Sequence, residues 1–148
     1  MVGEKASLTL NGNVSGYAGD FIQNGGTVTV NTKDGKFFGG AVQVLGGTLT
    51  AENADWNVTK QSMLNGDVTL GNVSAEGNLL QIKGGKLAAK SLSLKSSTIE
   101  NDADVTLFGG EEDESVLASS TLKVKSLTLD GKNGKGIDDG AFMDVYED

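Results

Sequence analysis

The sequence contains no cysteine, no proline and no histidine, and all of its basic residues are lysine. Without cysteine, the fold uses no disulfide bonds. Proline has no backbone N–H, so its absence suits a chain whose interior backbone joins hydrogen-bonded ladders. The missing histidine and arginine remove the commonest general base and the usual base of polysaccharide lyases. Aromatic residues make up only 5% of the chain, which favours a thin core of aliphatic side chains.

Charge argues against two classes of partner. The formal net charge is −8 over 148 residues. Phosphate contacts dominate nucleic-acid affinity, so an acidic chain without arginine is a poor nucleic-acid binder. The same charge disfavours anionic membranes, and no apolar run approaches the roughly 20 residues of a membrane span. We therefore predict no nucleic-acid partner and no direct membrane insertion.

A short glycine turn followed by an alternating strand recurs along the chain, as in Gly46-Gly47-Thr48-Leu49-Thr50-Ala51. Seven copies of the strand begin at residues 7, 27, 48, 67, 86, 104 and 121, in steps of 17 to 21 residues. In each copy the second and fourth residues are apolar, so one face of the strand is dry and the other is wet. The pattern directs Leu87 inward and Thr69 outward. A period near 20 residues with strand patterning is typical of a solenoid.

Two further apolar clusters follow the strand in most repeats. The first includes Trp56 and Leu92, and the second includes Val42, Leu80 and Val116-Leu117. Three short strands per repeat predict an all-β fold, a single-stranded right-handed parallel β-solenoid (β-helix) of about seven three-sided coils. We expect one domain over 1–148, with repeats over 7–130 and a cap or truncated coil over 131–148. No signal peptide is visible, and we expect the chain to be a piece of a longer protein.

Stacking places equivalent residues of successive repeats above one another. The third strand position forms a threonine-rich column of Thr9, Thr29, Thr50, Thr69, Ala88, Thr106 and Lys123. We predict that the binding surface is a polar lateral face containing Thr29, Thr50 and Thr69, or the loops Asn31–Lys36 and Glu111–Glu114. β-Branched residues also suit pleated ladders for structural reasons. The first strand position forms a charge ladder of Asp67, Lys86 and Asp104. A second column is predicted from Gln23, Gln43, Gln61 and Gln81.

Two acidic stretches have the composition of a cation site without its spacing. Glu111–Glu114 is a run of acids in a turn, and Asp130–Asp139 places lysines where a calcium loop needs oxygen ligands. We predict no metal and no cofactor. Asp67 and Asp104 are expected two coils apart, near 10 Å, which is too far for a retaining carboxylate pair. We therefore predict no catalytic residues and no enzymatic activity.

The motif Gly-Gly-Thr-Leu-Thr after an apolar pair, in residues 41–50 and again as Gly84-Gly85-Lys86-Leu87 in 79–87, resembles the passenger domains of bacterial autotransporters and related large adhesins. The resemblance covers roughly residues 7–130. It implies an extracellular or cell-surface rod, associated with the outer membrane, that adheres to a host or bacterial surface ligand (protein or glycan) or to itself. It supplies no functional residues, because the family has no shared catalytic motif.

Three other interpretations stay open at this stage. A bactofilin-like cytoskeletal polymer is also a short β-helix, joined end to end. Some β-helices are polysaccharide-active enzymes, and others are segments of phage tails or spikes, which would need to trimerise. The variable insertions at Asn31–Lys36 and Glu111–Glu114 favour an exposed surface protein over the cytoskeletal polymer.

Overall fold

The computed structural model describes residues 5–11, 19–31, 36–38, 40–110, 112–129 and 142–145, and the regular structure within them is all β-strand. No helix long and apolar enough to cross a bilayer occurs in these ranges. The strands in chain order are β1 Ser7–Asn11, β2 Phe21–Gln23, β3 Thr27–Asn31, β4 Lys36–Phe38, β5 Val42–Val44, β6 Thr48–Ala51, β7 Asp55–Val58, β8 Ser62–Leu64, β9 Asp67–Glu76, β10 Leu80–Ile82, β11 Lys86–Lys95, β12 Thr98–Glu100, β13 Asp104–Leu107, β14 Val116–Ala118, β15 Thr121–Val124, β16 Ser126–Leu129 and β17 Phe142–Val145.

These strands stack in parallel as a β-solenoid with three faces, which confirms the predicted fold class. The first face has the strand order β1-β3-β6-β9-β11-β13-β16. The second face contains β4, β7, the later halves of β9 and β11, and β14. The third face has the order β2-β5-β8-β10, followed by a separate sheet of β12, β15 and β17. Long strands β9 and β11 turn the corner between the first two faces without interruption.

Five turns of the solenoid have all three faces within the described residues, fewer than the seven predicted coils. The first complete turn is β3-β4-β5 and the last is β13-β14-β15. At each end, a further turn is described for only two faces, by β1 with β2 and by β16 with β17. The predicted cap over 131–148 lies outside the described residues apart from β17. The right-handed sense of the coil stays a prediction.

The predicted seventh repeat at Thr121 is wrong. Thr121 pairs with Thr98 on the third face, and the first-face partner of Asp104 is Ser126. The cause is a long corner over 108–115, which separates β13 from β14 and delays every later strand. Val116-Leu117, predicted in the second of the two further apolar clusters together with Val42 and Leu80, consequently pairs with β11 on the second face. The step from Asp104 to Ser126 is therefore 22 residues rather than the predicted 17.

The interior is filled by aliphatic side chains stacked in register. Val68, Leu87 and Val105 are consecutive partners on the first face and are all at most 2% exposed. Leu87 therefore points inward as predicted, while the outward side chain of Thr69 is half-buried. Trp56 on the second face is the largest fully buried side chain. Each such burial stabilises the fold by about 1.5–3 kcal/mol.

Glycine is required where the third face turns into the first. Gly85 has φ +71, and a Cβ there would overlap the carbonyl oxygen of Gly66 in the preceding turn. The backbone ladder runs through this corner, because the Lys86 N–H donates to that same oxygen at 3.1 Å. Glycine allows both the left-handed conformation and the close approach of two backbones.

Buried serines hold the other corners, a feature that the sequence reading missed. Ser62 Oγ accepts a hydrogen bond from the Val42 N–H at 3.0 Å. Ser115 Oγ accepts from Leu92 N–H at 3.0 Å, and Ser120 Oγ accepts from Ser97 N–H at 3.0 Å. A buried backbone donor without a partner costs about 1–3 kcal/mol. These hydroxyls therefore replace ladder bonds where the strands end.

Candidate binding face

The three predicted binding residues lie next to one another on the first face. Thr29 on β3 is the register partner of Thr50 on β6, which is the partner of Thr69 on β9. Each occupies the third position of its strand, between two buried residues, so its side chain projects outward. All three are half-buried, since neighbours above and below cover part of each side chain. Whether these threonines bind a ligand stays a prediction.

The threonine column extends along the whole first face. Its members in ladder order are Thr9, Thr29, Thr50, Thr69, Ala88, Thr106 and Thr128. The predicted last member, Lys123, is wrong, because β15 lies on the third face and β16 supplies Thr128. Six of the seven positions are therefore threonine, and Ala88 is the single gap.

The charge ladder runs beside this column, as predicted. Lys86 is the register partner of both Asp67 and Asp104. Within the part of the chain that the structure describes, the ion pairs are Lys60–Asp20 at 3.7 Å and Lys95–Glu76 at 3.4 Å, so the ladder itself forms none. Asp104 instead accepts a hydrogen bond from Ser126 Oγ at 2.5 Å. Asp67 and Lys86 are exposed to solvent.

A hollow of about 220 Å³ opens on the first face at the position of the alanine. Its polar lining consists of Thr48, Asp67, Thr69, Lys86, Asp104 and Thr106. Ala88 forms part of the floor, because its methyl group is shorter than the threonine side chains on either side. The alanine is visible in the sequence, but the hollow depends on the register that places it between Thr69 and Thr106.

The predicted glutamine column is wrong. Gln23 pairs with Val44, is fully buried, and donates from Nε2 to the Thr48 carbonyl at 3.0 Å. Gln43 and Gln81 do share an outward column, but Met63 lies between them. Gln61 precedes β8 and joins no ladder position. Gln23 is the third residue of β2, whereas Gln43 and Gln81 are the second residues of β5 and β10, and adjacent positions on a strand point to opposite sides.

The acidic insertion forms a local turn over its described residues. The Gly110 N–H donates to Asp113 Oδ2 at 3.0 Å, and the Asp113 N–H donates to the Gly110 carbonyl at 3.1 Å. No group of three or more acidic, histidine or cysteine side chains that could hold a metal occurs among the residues the structure describes. The calcium-like stretch 130–139 lies outside them, as does most of the insertion that follows Asn31.

The geometry of the carboxylates bears on catalysis. Asp67 and Asp104 lie on strands β9 and β13, with β11 between them. Two strand spacings amount to about 10 Å, which exceeds the separation of retaining pairs and lies at the limit for inverting pairs. Lys86 also stands between the two carboxylates. The absence of enzymatic activity stays a prediction.

Comparisons with known proteins do not assign the chain to a family. No family model, no curated protein and no solved structure matches the chain. The parallel β-solenoid therefore stands on the strand pairing described above. The resemblance to autotransporter passengers stands on the Gly-Gly-Thr-Leu-Thr motif and enters below as a proposal.

Proposed function

We propose that the chain is a non-enzymatic structural and adhesive rod, part of a bacterial surface adhesin or autotransporter passenger at the cell surface. Its first face would contact a host or bacterial surface ligand, either protein or glycan. The observation that supports this most is the in-register threonine column, six threonines over seven stacked strands. A regular hydroxyl surface of this kind offers many equivalent donors and acceptors.

The packing of the interior directs binding to the outside of the rod. Aliphatic residues such as Leu49, Leu70 and Leu87 fill the turns and are at most 1% exposed. A ligand would therefore be held on the outside, on a lateral face or on a loop, and the threonine column favours the first face. Each exposed polar contact is weak, and many copies on one cell would raise the effective concentration without any new contact.

The proposal is tested with microspheres coated with the chain and applied to an epithelial cell monolayer and to a panel of immobilised glycans. The first-face variant carries Thr29→Lys, Thr50→Glu and Thr69→Lys, whose alternating charges avoid repulsion between adjacent strands. We expect wild-type microspheres to adhere and the variant to lose adhesion by about tenfold, equivalent to about 1.4 kcal/mol.

A matched control carries the same charges on the third face, as Gln43→Lys, Met63→Glu and Gln81→Lys. These residues form an outward column of consecutive register partners. Adhesion should survive in this control. Equal loss in both variants, or no adhesion of wild-type microspheres to either surface, would contradict the proposal.

One observation favours a second candidate, the bactofilin-like end-to-end polymer. Leu8 occupies an inward position of β1 and is 38% exposed, whereas its register partner Val28 is fully buried. Among the described residues β1 is the outer strand of the first-face ladder, and an apolar side chain at such an edge is a template for pairing with another chain. Electron microscopy at micromolar concentration distinguishes the two functions. Long unbranched filaments that disappear in Leu8→Lys would support the polymer.

A further inference from the structure

The hollow at Ala88 differs from the rest of the first face in both shape and charge. Thr69 and Thr106 lie two strand spacings apart, about 10 Å, and close its two ends. Asp67, Lys86 and Asp104 form one long side. Elsewhere in the described column, threonines are direct register partners and leave no such gap. The charged residues and the gap therefore coincide at one place.

The size of the hollow limits what it can hold. At about 220 Å³ it is smaller than the roughly 300–1,000 Å³ of sites for drug-sized ligands. One residue-sized group fits it, with the remainder of a larger ligand lying along the face. Its lining combines the Ala88 methyl group on the floor with hydroxyl, carboxylate and ammonium groups on the rim.

The order of the charged residues along the rim limits the kind of ligand that the hollow can bind. Lys86 stands between two carboxylates, so a simple anion meets Asp67 and Asp104, and a simple cation meets Lys86. Within the part of the chain that the structure describes, Asp67 and Lys86 make no side-chain hydrogen bond or ion pair. They are therefore available to an external ligand. Together they present acceptors and donors in alternation, which complements neighbouring hydroxyl groups of an uncharged ligand.

We propose that the hollow at Ala88 is a subsite for one neutral sugar residue of a glycan. Asp67 and Asp104 accept hydrogen bonds from sugar hydroxyls, and Lys86 donates one. Thr69 and Thr106 donate or accept at the two ends, while the Ala88 methyl contacts the C–H face of the ring. This inference rests on the proposed function and names glycan as the ligand class. A shallow, partly solvated subsite implies an affinity on the order of millimolar for a single sugar.

The test is an NMR titration of the full isotope-labelled chain with methyl glycosides of glucose, galactose, mannose and N-acetylglucosamine. We expect saturable shifts of the Ala88, Thr69 and Thr106 methyl signals with at least one glycoside. Ala88→Thr continues the threonine column and fills the hollow, and threonine suits a strand. This variant should keep the wild-type melting temperature and lose at least tenfold in affinity.

A second gap in the threonine column, made by substitution, shows whether the shape of the hollow alone is sufficient for sugar binding. Thr50→Ala opens a comparable space in the same column, but its first-position neighbour is Thr48 rather than a charged residue. We expect this variant to bind the glycoside at Ala88 as the wild type does and to show no second set of shifts near residue 50. Lys86→Gln should weaken binding by several-fold while leaving the thermal midpoint unchanged.

Several results would overturn the subsite. These are no saturable shift with any glycoside, unchanged binding by Ala88→Thr, or equal shifts with sodium sulfate or ethylammonium chloride. Adhesion of wild-type microspheres separates this inference from the proposed function. If the glycosides fail but microspheres still adhere through the first face, the subsite is wrong and the adhesive rod stands. If wild-type microspheres also fail to adhere, the proposed function is wrong as well.

Discussion

The first and third faces of the solenoid are built from the same turns of chain and differ in continuity. The first face is one ladder from β1 to β16, in which every strand pairs with the next. The third face is divided between β10 and β12, which belong to neighbouring turns and form no ladder. Burial changes at the same place. Leu80 and Ile82 are buried around an exposed Gln81, whereas Ile99 is buried between exposed neighbours.

The position of the buried residues distinguishes the two halves of the face. Segment length does not, because eight residues (59–66) separate β7 from β9 and nine (77–85) separate β9 from β11, yet β8 and β10 pair in register. Strands β2, β5, β8 and β10 bury their first and third residues, whereas β12 buries its second. At the break, side chains replace ladder bonds: Asn78 Oδ1 accepts from the Thr98 N–H at 2.8 Å, and Ser97 Oγ donates to the Gly77 carbonyl at 2.6 Å. A face therefore stays continuous where neighbouring strands place their buried residues at matching positions.

The largest expected effect tests the register of the first face. Leu87→Asp places a charge in the layer between Val68 and Val105, and we expect a loss of more than about 4 kcal/mol in unfolding free energy, sufficient to prevent folding. Thr69→Asp projects outward and should cost about 1 kcal/mol or less. Urea unfolding followed by circular dichroism measures both. Similar urea midpoints for the two variants would mean that the register of the first face is wrong by one residue.

The second prediction tests the glycine corner that keeps the first face continuous. Gly85 and Gly77 have nearly the same φ, +71 and +70, but a Cβ at Gly77 meets nothing within 4 Å. Gly77→Ala should therefore show only the backbone strain of about 1 kcal/mol. Gly85→Ala adds an overlap with the Gly66 carbonyl, and we expect about 3 kcal/mol or more. Equal thermal shifts would mean that the turns separate enough to admit a methyl group.

A smaller effect is expected at the break in the third face. Ser97→Ala removes hydroxyl bonds to Gly77 and Lys95 and should cost about 1–2 kcal/mol. Ser93→Ala, on the half-exposed outer side of the second face, is the control and should cost less than about 0.5 kcal/mol. Hydrogen exchange supplies the regional measurement. Backbone amides of β10 and β12 should exchange faster than those of β13, and the difference should grow in Ser97→Ala. Equal protection of all three strands would contradict the division of the third face.

The smallest expected effect concerns the charge ladder beside the threonine column. Lys86→Glu creates three adjacent acidic residues, and exposed like charges on neighbouring strands cost about 1 kcal/mol or less. Raising the salt concentration should restore most of that loss. Lys86→Gln should leave the melting temperature within error of wild type. If added salt does not reduce the loss of unfolding free energy in Lys86→Glu, Lys86 is held by a specific contact.

The sequence was sufficient for the parts of the fold that are specified locally. Alternating apolar residues mark six of the seven first-face strands, four of them after a glycine turn, and the register among Thr29, Thr50 and Thr69 follows from them. The copy at Thr121 failed because Ser-Ser-Thr-Leu-Lys-Val has the same alternation as a first-face strand. Its true face depends on how many residues the corner over 108–115 absorbs, and no local pattern records that length.

The candidate site was predictable to a similar extent. The composition of the threonine column predicted the lateral face, and its gap at Ala88 was present in the sequence. The hollow and its charged side required the pairing of β9, β11 and β13 in register. The corner serines were missed because a serine that caps a neighbouring turn has the same sequence context as one in a solvated turn. The division of the third face was missed because Ile99 is apolar like its counterparts in the other repeats, and a shift of the buried position by one residue leaves no mark in the composition.

The glycine corner has a consequence for how such a protein changes length. Each first-face corner from Gly47 to Gly85 rests on the carbonyl of the corner before it, so every turn in this part presents the same upper and lower backbone surface. Duplication of one such turn would lengthen the rod by about 4.8 Å and repeat the same corner contact between backbones. The same duplication across the break at β12 would repeat a mismatched segment. Genetic gain or loss of whole turns is therefore expected on the N-terminal side of β10.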